Sequence, residues 1–177
     1  MSKKVFLKGT LILACTGLVS RIAGFFYRIF LSHAIGAEGL GLYQLILPLQ
    51  GLMAALSYTG IQSALSRLIA SRLALQEKKE AYFSLVTGIF AAVFFSAVTG
   101  FLLFRHADFF ASTILKAPGT SDFLRLTAAS IPLCAIHSCI DSYYYARKKA
   151  SVPAAVQLSE QTVRIGATYI LYLIFLS

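Results

Sequence analysis

Arg21 and Arg28 stand where a membrane helix usually carries no charge. Both lie in residues 9–35, GTLILACTGLVSRIAGFFYRIFLSHAI, a stretch longer than the ~20 residues a bilayer crossing takes. A charge at the centre of such a helix costs ~2.5–3.5 kcal/mol on insertion scales, so two of them need a reason. Seven residues apart, they lie ~700° round a helix and ~10 Å along it, on nearly one face. Gly17 and Gly24 share that face. Arg21 is ~18 Å from Gly9 along the axis, close to mid-bilayer. Arg28 is nearer the outer boundary and can snorkel there. A guanidinium grips phosphate bidentately, so a water-lined stripe of this kind suits an anionic passenger.

Three further ionisable residues fall inside apolar stretches: Asp141, Glu160 and Arg164. Glu160 precedes Arg164 by four, the favourable order for an intrahelical ion pair. Gln157 and Gln161 join them in a polar stripe, which reads either as that self-contained pair or as a cavity wall. Asp141 has His137 and Tyr145 one turn away on either side. The charges inside the spans are three positive and two negative. Arg21 has no local partner, so it either pairs across helices with Asp141 or Glu160 or faces water.

The elements that must position these residues are helices. The 177 residues are 58% hydrophobic and 13% charged, with a mean hydropathy of +0.74; soluble domains are ~25% charged. The apolar runs are continuous rather than alternating, which excludes a barrel. The expected fold class is an all-α polytopic membrane protein with about five spans, at residues 9–35, 42–73, 82–104, 123–146 and 153–176. The first is read as a retained span rather than a cleaved signal, because Arg21 interrupts its apolar core. Residues 36–41, GAEGLG, form a short connection that should return the chain antiparallel. Pro48 should kink the second span, and Gly51 and Gly60 should let it pack closely. The third span carries no charge between Glu80 and Arg105. It is expected to be structural or lipid-facing. Residues 105–122 form a connection whose Phe109 and Phe110 suit the membrane interface.

The net charge of +9 sits mostly at span ends. It is read as topology, not as a nucleic-acid footprint. Lys3, Lys4, Lys8, Arg67, Arg72, Lys78, Lys79, Arg147, Lys148 and Lys149 fall on one side, and Arg105, Lys116 and Arg125 on the other. By the positive-inside rule the N-terminus is cytoplasmic, in the cell membrane. Cys15, Cys134 and Cys139 have neither metal nor redox spacing and read as small core residues. There is no phosphate-cradling glycine loop, paired carboxylate, nucleophile elbow or histidine pair. No enzyme, metal site or cofactor is expected.

The segment Ser20-Arg21-Ile22-Ala23-Gly24-Phe25-Phe26-Tyr27-Arg28, followed by residues 36–43, GAEGLGLY, resembles the first hairpin of the polysaccharide-biosynthesis, oligosaccharide-flippase family of the MATE-like superfamily. Thr59-Gly60-Ile61, Ala64-Leu65-Ser66-Arg67 and Ser159-Glu160-Gln161 with Arg164 fit the same branch. The resemblance implies two lobes of about six helices round a central cavity. It also implies transport of polyprenyl-pyrophosphate-linked saccharide by alternating access, in cell-wall or spore-cortex synthesis. In the lipid II flippase of that superfamily, cavity arginines grip the pyrophosphate. Arg21 matches the first of these positions. The second falls on Tyr27 here, one residue before Arg28.

The resemblance implies a substrate contact at Arg21; Arg28 and Arg164 join it as cationic candidates by residue type, and Asp141, Glu160, Gln157 and Gln161 as candidates for polar or coupling roles. Its implied partners are the lipid-linked anionic saccharide, membrane lipids and the remaining lobe of a parent protein. Five spans are fewer than one lobe, so the chain is expected to be an N-terminal fragment. Two other readings stand beside this one. A cation-coupled exporter of the same superfamily needs acidic residues at its site, and the first span has none. A non-transporting scaffold would recruit cell-wall synthases.

Overall fold

The computed structural model describes residues 3–176, and for residues 3–8 and Leu176 the backbone only. The expected charge anchors Lys3, Lys4 and Lys8 therefore lie outside the described side chains. Six α-helices follow in order: α1 (Lys3–Ala54), α2 (Gly60–Ala74), α3 (Lys78–Arg105), the single turn α4 (Ala107–Phe109), α5 (Ser121–Ala146) and α6 (Ser151–Leu176). Among the described residues there is no strand.

The expected loop at residues 36–41 contracts to one residue. Gly36 alone leaves the helical region, at φ 74° and ψ 175°, and α1 resumes immediately. Only glycine adopts that pair of angles without strain, so a single residue interrupts the helix. Pro48 lies within α1 at helical angles. The local departure comes later, as a π-helical turn at Ala55–Thr59. Two hydroxyls stabilise its loosened carbonyls: Ser57 donates to the Met53 carbonyl, and Thr59 to that of Ala54 at 3.1 Å. The connection at 105–122 is also largely helical, with α4, a π turn at Phe110–Ile114 and a 3-10 turn at Pro118–Thr120.

The chain forms two compact units. One joins residues up to Leu40 with those from Lys148 onward; the other is Gly41–Arg147. In the second unit, α2, α3 and α5 pack as a three-helix group. The π turn and α2 run antiparallel to α3 and meet it where Ser57 and Thr99 share a hydrogen bond at 2.6 Å and where Leu65 lies against Gly88. Antiparallel α3 and α5 meet where Gly100 faces the Ala128 carbonyl and where the Cys139 thiol approaches the Gly88 carbonyl. Ser142 of α5 donates to the Gln62 carbonyl of α2 at 3.1 Å.

Small side chains fill these seams, among them Ala92, Ser96, Ala128, Ala135, Ser138 and Ser142. Large apolar ones face outward, with Phe90 73% and Leu126 72% exposed. Water would penalise that inversion, and a bilayer does not. Without a hydrophobic drive between helices, close contact of small residues holds a membrane bundle together. The close contacts are at Gly88 and Gly100, not at Gly51 and Gly60, which have nothing within 4 Å. The latter two lie on the outer face of their helices. Cys139 is buried as expected, but Cys15 is exposed on an apolar face.

Three described stretches are long and apolar enough to cross a membrane: Gly9–Ala74, Lys78–Arg105 and Pro118–Ala146. The first is interrupted at Gly36, and each side of that break exceeds the ~20 residues of one crossing. The helix α6 has the expected extent, but its polar stripe lowers its hydropathy and keeps it outside these three. The chain is an all-α polytopic membrane protein.

Candidate functional site

Six of the seven expected site residues fall in the unit formed by α6 and the part of α1 up to Leu40. Arg21 and Arg28 are on α1, and Gln157, Glu160, Gln161 and Arg164 are on α6. From Gly9 to Phe30, α1 lies in register with α6. A side chain at Gly9 would meet Ala150, and one at Gly24 would meet the Gln161 amide nitrogen at 3.7 Å. Tyr27 and Thr168 share a hydrogen bond at 3.2 Å. Phe30 packs against the rings of Tyr169 and Tyr172, with centroids 5.9 and 5.5 Å apart. Partner numbers rise together along this seam, so α1 and α6 run parallel.

At this seam the Gln161 side chain lies over Gly24 at ordinary van der Waals distance. Arg21, three residues before Gly24, and Arg28, four after it, are rotated ~40–60° from it, both toward the same side. The two arginines therefore flank the seam. Both are exposed, as are Gln157, Glu160 and Arg164. Among the described residues, none of the three arginines makes an ion pair. The Arg164 carbonyl accepts a bond from Thr168 at 2.9 Å.

The helix pair thus presents three unneutralised guanidinia on its surface beside one carboxylate and two amides. In a low-dielectric setting such a surface attracts an anion. Phosphate oxygens match its fork geometry.

The seventh expected residue, Asp141, belongs to the other unit. Its carboxylate is mostly buried and lies 3.7 Å from the His137 ring on the same helix. His33 donates from Nδ1 to the Ile29 carbonyl at 2.8 Å. No group of three or more metal-ligating side chains occurs among the described residues.

Thr168 and the ring cluster of Phe30, Tyr169 and Tyr172 were not evident as partners of the site. Their signal is spacing: Gln161, Thr168 and Tyr172 repeat at seven and four residues, a helix-contact period. A cysteine pair replacing Gly9 and Ala150, whose Cβ atoms would stand 3.9 Å apart, within disulfide reach, should cross-link readily in a chain lacking Cys15, Cys134 and Cys139. A pair replacing Tyr27 and Gln157 should not. Gel mobility of the oxidised membranes reads both, and the reverse pattern would rule out parallel packing.

The family model described as "Polysaccharide biosynthesis protein" matches residues 6–177. Stage V sporulation protein B of Bacillus subtilis (strain 168) is 34% identical over 181 residues, covering 99% of this chain and 34% of its own length. The chain therefore spans about a third of that curated relative. No solved structure matches it. With the family match running over almost its whole length, the chain belongs to the polysaccharide biosynthesis protein family.

Proposed function

We propose that this chain is part of the N-terminal lobe of a flippase. Its cargo is a polyprenyl-pyrophosphate-linked saccharide, moved across the cytoplasmic membrane by alternating access. The observation that carries this reading is the α1–α6 pair. Of the seven candidate site residues, six lie on that pair, and three of them are arginines that make no ion pair among the described residues. A cation exporter would need the opposite balance. The name of the relative, a sporulation protein, supports spore-wall or cell-wall precursor as the saccharide. Arg21, Arg28 and Arg164 contact the pyrophosphate. Gln157, Glu160 and Gln161 hydrate and orient it, and Asp141 responds to coupling protons from the other unit.

Five spans with a cytoplasmic N-terminus fit the same picture. Parallel α1 and α6 require an odd number of crossings between them, and residues 41–147 make three passes. Within that unit Arg67, Arg72, Lys78, Lys79 and Arg147 gather at one end, the side expected to face the cytoplasm. The remaining lobe of the parent protein completes the cavity.

The test is transport by the parent protein reconstituted in vesicles. Fluorescent polyprenyl-pyrophosphate saccharide is loaded in one leaflet, and its appearance in the other is read by a membrane-impermeant quencher. Flipping above protein-free vesicles is expected. Its absence, alongside proton-driven efflux of small cations, would favour the exporter instead.

A further inference from the structure

The second unit carries an apolar groove that no transport role uses. It is an open furrow of about 250 Å³ between α3 and α5. Ala97, Gly100 and Phe101 line one side, and Ala128, Ala129 and Pro132 the other. Its origin is local. Pro132 has no N–H for the Ala128 carbonyl one turn earlier, and Gly100 lets that carbonyl approach to 2.8 Å of where a side chain would begin. The helices touch there through backbone. The small residues beside the contact leave a furrow that Phe101 and Phe104 wall from outside.

The volume is below the ~300–1,000 Å³ of sites that enclose a whole small molecule. It suits one segment of a hydrocarbon chain. The setting is a pair of membrane-crossing helices, where hydrocarbon is the solvent. One turn beyond Phe101 on the same face of α3 stands Arg105, exposed and outside any ion pair among the described residues. One turn before Ala129 on α5 stands Arg125, held by Asp108 and Asp122 at 2.8 Å each. Because α3 and α5 are antiparallel, both arginines mark the same end of the groove. Arg125 is neutralised there, and Arg105 is left to meet an anion.

We propose that this groove seats one acyl chain of an anionic bilayer phospholipid, with its phosphate on Arg105. The lipid fills the furrow at the Gly100–Pro132 contact and stiffens the α3–α5 pair. This assignment does not depend on the flippase reading.

Photolabelling tests it. The chain is placed in phosphatidylcholine bilayers containing a trace of phosphatidylglycerol with a diazirine on one acyl chain, and adducts are mapped by mass spectrometry. Adducts should concentrate about tenfold on residues 97–104 and 128–132 over the exposed Phe83 and Phe90. Ala129→Phe, an exposed position that fills the furrow, should remove that excess while labelling at Phe83 and Phe90 persists. Arg105→Gln should reduce phosphatidylglycerol labelling to that of a matched phosphatidylcholine probe. Even labelling of all outward faces, or an excess unchanged in Ala129→Phe, would overturn the groove. Equal labelling by the two probes in the unaltered chain would overturn the headgroup contact. Chain-to-chain cross-links from Ala129→Cys would instead show a second copy covering the furrow and would also overturn the proposal.

Discussion

Arg21→Ala in the full-length parent protein is expected to lower saccharide flipping by ~10- to 100-fold, without changing the amount of protein in the membrane. The reasoning has two parts. Losing a charge-assisted bond to phosphate costs ~1.5–3 kcal/mol, which as a rate is that factor. The protein level should hold because Arg21 is exposed and makes no ion pair among the described residues, so its removal strands no buried partner. Arg21→Lys keeps the charge but loses the planar fork and should fall between the two. Arg28→Ala should cost less, since Arg28 lies ~10 Å nearer the boundary. Complementation of a strain lacking the parent protein, with immunoblots of its membranes, reads all three. Normal growth with alanine at position 21 would remove this residue from the phosphate site.

Gly100→Ala is expected to destabilise the second unit by ~1–3 kcal/mol, the usual cost of forcing a methyl into a filled interface. The new Cβ would stand 2.8 Å from the Ala128 carbonyl oxygen, and a backbone atom cannot rotate away. Gly88→Ala offers the contrast. Its Cβ would fall 2.7 and 2.8 Å from the two methyls of Leu65, a side-chain end that can shift where a backbone carbonyl cannot, so the cost should stay below that of Gly100. Gly51→Ala meets nothing within 4 Å and should be neutral or stabilising by up to ~1 kcal/mol through helix propensity. Thermal unfolding in detergent should rank the variants in that order. Equal losses at positions 51 and 100 would remove backbone contact as the cause.

Some of the site was legible from sequence because charge in an apolar run is conspicuous. Arg21, Arg28, Glu160 and Arg164 stand out by type alone, and a 3.6-residue period places each on a face. The same period puts Gln157 and Gln161 beside Arg164. Thr168 was not legible, since a threonine in a membrane helix also satisfies its own backbone, as Thr168 does with the Arg164 carbonyl. Gly24 was legible as part of a stripe, but the Gln161 side chain that lies over it was not. The glycines of the second unit show the same limit. Gly51, Gly60, Gly88 and Gly100 look alike in one dimension, and only the facing helix decides which of them is crowded.

The amino-acid sequence by itself determined that this is a helical membrane protein and which faces carry charge, because these follow from hydropathy and from a period fixed by backbone geometry. The tertiary structure decided what those local rules leave open. It set α6 parallel to α1 and placed Gln161 over Gly24. It left Arg21 and Arg28 exposed beside the seam, and it put Asp141 in the other unit. The physical reason is that partners so far apart in the chain are selected by packing and backbone proximity in three dimensions, which no single stretch of sequence encodes.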